Sequence, residues 1–197
     1  MTFSLRMIRR LPIALTALRA LLAPVVVLLA VSYPNRTLFG ICLIAAFLSD
    51  IFDGILARRL QVATPNLRRL DSIADSIFYV AATFAVWHLE PSAITAHATG
   101  LVILGALEIS RYILDIWKFK REASYHMWSS KLWGIALFAG FFSLLALGTA
   151  DLAVTAAIYL GILADIEGLA ISIVLPEWKT DVPTIIHAFR LRTTAYR

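Results

Sequence analysis

The sequence predicts an all-α fold: a polytopic membrane bundle of six transmembrane helices with amphipathic N- and C-terminal segments. Three observations carry that reading. Of the 197 residues 60% are hydrophobic, and mean hydropathy is +0.79. That is too apolar for a soluble domain and too short for two membrane domains, so a single domain over residues 1–197 is expected. Apolar runs able to cross about 30 Å of hydrocarbon recur between short polar breaks, and Lys and Arg gather at alternate breaks.

The first span, 11–32, follows Arg6, Arg9 and Arg10, the basic-then-apolar order of a signal peptide. Its apolar stretch is too long, is interrupted by Arg19, and ends without a small-x-small cleavage site. It reads as a retained helix that Pro24 bends. Five more spans follow, at 37–60, 67–89, 93–117, 129–149 and 152–175. The breaks are Ser32–Asn35, a basic loop with Arg58, Arg59, Arg68 and Arg69 around Pro65-Asn66, then Glu90–Ser92, Lys118–Ser124 and Gly148–Asp151. The tail after Pro176 carries Ile185, Ile186 and Phe189, a short amphipathic helix with Trp178 as interfacial anchor. The lone cysteine, Cys42, excludes an intrachain disulfide.

Arg and Lys at the amino end, the 58–69 loop, the 118–122 loop and the tail (Arg190, Arg192, Arg197) predict cytoplasmic termini, which an even number of spans requires. The net charge of +5 then reads as topology and attraction to an anionic leaflet, and nothing points to nucleic acid. Nearly every intramembrane charge falls in the cytoplasmic half: Arg19, the aspartates of spans two and three, Glu108 and Arg111, Lys131, and Asp165 with Glu167. That clustering predicts one polar cavity open to the cytosol and the inner leaflet.

Four aspartates dominate the chain. Asp50, Asp53, Gly54 and Ala57 stand at i, i+3, i+4 and i+7, one face of a helix. Leu67, Asp71 and Asp75 form a second stripe at spacing four. Two antiparallel helices joined by the basic loop would bring the carboxylates face to face. Four carboxylates that close need counter-charge, and each costs on the order of 3 kcal/mol near the bilayer centre. Two divalent cations balance them, and an all-oxygen ligand set favours Mg²⁺ or Mn²⁺ over zinc. A two-metal carboxylate site suits phosphoryl transfer.

The pattern D-x2-D-G-x2-A-R-x8-L-x3-D-x3-D, from Asp50 to Asp75, resembles the motif of the CDP-alcohol phosphotransferases, integral membrane enzymes of phospholipid synthesis. Leu67 stands where the family has glycine; every other fixed position matches. The resemblance implies metal-dependent transfer of a phosphatidyl group from a CDP-linked lipid, CDP-diacylglycerol first, to an alcohol, with release of CMP. It implies that Asp50, Asp53, Asp71 and Asp75 hold two Mg²⁺ or Mn²⁺ ions, with Asp75 also the general base. Gly54, Ala57 and Arg58 would seat the CDP. E108-x2-R111 and S129-S130-K131 resemble the elements of family members with phosphorylated acceptors, so Arg111 and Lys131 are acceptor candidates and glycerol 3-phosphate the first guess. T16-x2-R19 resembles an element near the donor lipid. A homodimer and a bacterial-type inner membrane are implied as well.

Each residue has a plainer reading. Gly54 and Ala57 would serve as small packing residues, Arg58 as a charge anchor, Arg111 as the partner of Glu108, and Lys131 as an interfacial cation. Asp165 and Glu167 call for a partner such as Arg111 or Arg19. Two rival functions stand beside the enzyme: a cation- or proton-coupled transporter, and an inactive family member because of Leu67.

Overall fold

The computed structural model describes residues 10–62, 64–150 and 152–195. The amphipathic N-terminal segment with Arg6 and Arg9, the residues Asp151 and Arg197, and the side chain of Arg68 lie outside the described residues. Among the described residues the chain forms eight α-helices and no strand. They are α1 (Leu11–Ser32), α2 (Arg36–Arg59), α3 (Pro65–Leu89), α4 (Pro91–Ala96), α5 (Ala98–Phe119), α6 (Trp128–Phe142), α7 (Leu152–Val174) and α8 (Ile185–Ala195). A π-helical turn, Ser143–Leu147, extends α6.

Five segments are long and apolar enough to cross a membrane: Leu11–Ser32, Arg36–Arg59, Arg69–Leu89, Trp128–Leu147 and Leu152–Val174. They mark a multi-pass membrane protein. The expected span at 93–117 differs from the other five. Helix α4 takes Pro91–Ala96, the backbone breaks at His97, and α5 restarts at Ala98. Helix α5 has the length, 22 residues, but Glu108, Arg111, Asp115 and Lys118 leave it too charged to rank with the five.

The chain divides into two compact units, Met1–Ala93 with Phe141–Thr149, and Ile94–Gly140 with Ala150–Arg197. In the first, α1 packs on both α2 and α3. Its buried residues Pro12, Thr16, Arg19, Ala23, Val26 and Ala30 alternate spacings of four and three, the seam of a helix held between neighbours. The facing side of α3 is small, with Ala74, Ala81, Ala82 and Ala85 buried beside Phe78 and Val86, so backbones approach closely.

The turn between α2 and α3 is tight. The Gln61 N–H donates to the Arg58 carbonyl and the Val62 N–H to the Ala57 carbonyl, while Gln61 takes a left-handed φ of 56°. Thr64 Oγ1 then accepts from the Leu67 N–H at 3.2 Å, capping α3 with Pro65 in its first turn. The π turn ends on Gly148 at φ 71°, where a side chain would run into the Arg36 guanidinium; Arg36 Nη1 donates to the Leu147 carbonyl at 2.9 Å.

In the second unit α5 packs on α7, and α7 on α8. Tyr125, Met127, Ile171, Leu175, Val182 and Ala188 form its core cluster. Ser172 Oγ donates to the buried Asp115 carboxylate at 2.5 Å, and the Tyr125 hydroxyl donates to Ser172 Oγ at 2.9 Å. Burial pushes the Tyr125 hydroxyl up from its ordinary value, which keeps it a donor. Lys118 Nζ caps α7 by donating to the Ser172 and Ile173 carbonyls. The tail helix α8 buries Ala188 and leaves Ile186 and Phe189 exposed.

Candidate active site

Helices α1, α2 and α3 each bring polar groups to one place. From α2 come Asp50 and Asp53; from α3, across the tight turn, come Asp71 and Asp75. Asp50, Asp53 and Asp71 each offer one oxygen, and these lie within 4.8 Å of one another. Asp75 is outside that trio and meets it through the Arg19 guanidinium of α1, which contacts all four carboxylates. Arg19 Nη1 lies 3.1 Å from Asp50 Oδ1 and 3.2 Å from Asp71 Oδ1, and donates to Asp75 Oδ1. Arg19 Nη2 donates to Asp53 Oδ2 at 2.6 Å.

The site is graded from closed to open. The side chains of Arg19 and Asp53 are 1% and 5% exposed, against 46% for Asp50 and 34% for Asp71 and Asp75. Thr16 Oγ1 lies 3.1 Å from the Pro12 carbonyl and 3.3 Å from Asp53 Oδ2, with one proton to give. Asp71 Oδ1 is buried and has no hydrogen-bond donor, although it lies beside Arg19. An all-carboxylate set with open members and an oxygen still in need of a partner fits a hard divalent cation.

The remaining motif residues follow on α2. A Cβ built on Gly54 would find nothing nearer than the Arg58 guanidinium, at 3.5 Å or more. Helix packing therefore does not demand glycine there, and the plainer reading of Gly54 weakens. Ala57 is buried, 7% exposed, so packing does account for its small side chain. Arg58 is exposed, and Leu67 is half-buried one turn before Asp71.

Arg111 and Lys131 belong to the second unit. Arg111 Nη2 donates to Glu108 Oε1 at 2.9 Å, and its Nη1 lies 3.0 Å from Asp165 Oδ1. Of the two partners that sequence offered the deep acids, Asp165 takes Arg111. Glu167 takes neither arginine: it accepts from Ser129 Oγ at 2.5 Å and from the Ile185 N–H at 3.1 Å, tying α8 by its first turn. Lys131 lies over the Trp128 ring at 4.3 Å.

Sequence spacing alone did not put Thr16 and Arg19 among the aspartates. The signal was there in the alternating stripe Pro12-Thr16-Arg19-Ala23, which sets both on the inward face of α1. Asp115 gave no such signal, because its partner Ser172 is 57 residues away.

A family model described as CDP-alcohol phosphatidyltransferase matches residues 9–174, well over half of the chain and running through both units. No curated protein and no solved structure matches the chain. The matched family consists of phosphotransferases of lipid synthesis that use divalent cations.

Proposed function

The chain belongs to the CDP-alcohol phosphatidyltransferase family, and we propose that it transfers a phosphatidyl group from CDP-diacylglycerol to an alcohol, releasing CMP. The observation that carries this reading is the convergence of Asp50, Asp53, Asp71 and Asp75, with the outer three carboxylates open to solvent. Asp50, Asp53 and Asp71 would hold two Mg²⁺ or Mn²⁺ ions, with Asp75 completing the set. Divalent cations there supply charge for the diphosphate and for the attacking and leaving oxygens.

The chain's own residues then divide the work. Asp75 takes the proton of the acceptor hydroxyl as its oxygen bonds to the phosphatidyl phosphorus and the bond to CMP breaks. Arg58 is exposed beside Gly54, where its guanidinium can meet a nucleotide phosphate and the missing side chain leaves room for the cytidine. Glycerol 3-phosphate is the first acceptor, with Arg111 and Lys131 as the phosphate contacts. Arg111 would have to trade Glu108 for that phosphate.

An acceptor screen tests the reading: purified protein, labelled CDP-diacylglycerol and Mg²⁺ or Mn²⁺, with lipid product and CMP as readouts, run on the wild type and on Leu67→Gly. We expect the wild type to be active, and Leu67→Gly to change KM for the CDP donor more than KM for the acceptor. Activity confined to the glycine variant identifies an inactive family member. Cation flux in liposomes without CMP release identifies a carrier.

On this reading both termini and the active site lie on the cytoplasmic side of a six-span topology, with α5 as the sixth span and a homodimer as the assembly. Asn66→Cys on a Cys42→Ser background puts a thiol at an exposed position next to the site. It should react with membrane-impermeant maleimide only in inverted vesicles. Labelling from outside intact cells overturns that topology.

A further inference from the structure

As it lies, the Arg19 guanidinium does not satisfy all four carboxylates: its Nε–H meets none of them, and the contacts fall to Nη1 and Nη2. Arg19 Nη1 carries two N–H groups and faces Asp50, Asp71 and Asp75, so one of the three goes short; Asp71 Oδ1 is the oxygen left without a donor. Four carboxylates share this one cationic side chain, and crowded like charges disfavour full ionisation until more positive charge arrives. Arg19 is nonetheless 1% exposed and held on the packed seam of α1, between α2 and α3. It is thus a resident cation in a cage built for more positive charge than it brings.

We propose that Arg19 is an exchangeable counter-ion of this cage. It gives up carboxylate oxygens when divalent cations bind, and its freed guanidinium then takes a phosphate of the CDP donor. The proposal rests on the metal and donor assignment above. Charge decides the direction of the exchange. Two divalent cations neutralise the four carboxylates, so Arg19 keeps an unanswered positive charge on the inner wall of the site. A diphosphate is its natural partner, because the planar guanidinium grips two phosphate oxygens at once. Cation binding and donor binding are coupled through this one side chain, with the cation first. Arg19 is a positioning residue for the metals and a contact for the donor, and the two roles predict opposite effects of removing it.

Mn²⁺ binding, read by the electron paramagnetic resonance of free Mn²⁺, and CDP binding at saturating Mn²⁺, read by calorimetry, are measured on the full chain in detergent. In Arg19→Gln the Kd for Mn²⁺ should fall about tenfold while the Kd for CDP rises about tenfold, the scale of one lost charge-assisted hydrogen bond. If Arg19→Gln does not fold, Arg19→Lys should move both constants in the same two directions by about threefold, since one ammonium replaces a fork of donors. A merely structural arginine would weaken both ligands together or neither. Mn²⁺ uptake with unchanged or weaker affinity in the variant overturns the exchange and leaves the metal site standing. Failure of the wild type to take up Mn²⁺ at all overturns both.

Discussion

Asp71→Asn should reduce transfer about a thousandfold or more, equivalent to at least about 4 kcal/mol of transition-state stabilisation. The substitution keeps the shape of the side chain and removes one charge and one ligand oxygen from the trio Asp50, Asp53 and Asp71. Asp71 is the right member to change. Asp53 is closed in between Thr16 and Arg19, and its loss would disturb the packed seam as well as the chemistry. Asp71 is open at its outer side and carries a buried oxygen that receives no hydrogen bond, so replacing it breaks no hydrogen bond at that oxygen. Arg19 keeps Asp53 and Asp75 in the variant, which should therefore stay folded and monodisperse in detergent. Mn²⁺ affinity should drop by more than about 100-fold, beyond the loss expected on removing a group that only orients a ligand. Undiminished CMP release from Asp71→Asn would sink the metal-site assignment.

The helices of the first unit were legible because their signals are local. Spacing of three and four set Asp50 beside Asp53 and Asp71 beside Asp75, while Pro65-Asn66, expected in the loop, is the first turn of α3, two residues ahead of the expected start at 67. The cage itself needed only that α2 and α3 be antiparallel. What spacing alone did not give was the third wall. Arg19 looks from sequence like an interruption of an apolar span, and only the alternating burial along α1 turns it toward the aspartates. The break at His97 was equally hidden, since Ala93–Gly100 is weakly apolar on either side of it and no Gly or Pro stands at the joint. The partners of Asp115 and Glu167 depend on packing between elements far apart in the chain, which no periodicity encodes.

The pair Arg111 and Asp165 gives a residue singled out for a ligand a structural partner as well. Asp165 is completely buried, and the cationic group facing it is the Arg111 guanidinium at 3.0 Å. Gly168 keeps the space open for this arginine: a Cβ there would stand 2.9 Å from Arg111 Cδ. Arg111→Met keeps most of the apolar stem and removes the charge, leaving a buried carboxylate without its partner. Breaking such a pair costs about 3 kcal/mol or more, on the order of 10 °C in Tm for a chain of this size. The second substitution decides the cause. Asp165→Asn removes the orphaned charge, so the double variant Arg111→Met/Asp165→Asn should recover most of the lost stability, measured by thermal unfolding in detergent. Full recovery of stability with a KM for acceptor still raised would give Arg111 a ligand role as well as a structural one. Recovery of both would make it a structural ion pair and remove it from the acceptor site. An Arg111→Met protein as stable as the wild type would refute the pairing argument, leaving Arg111 to be judged by acceptor KM alone.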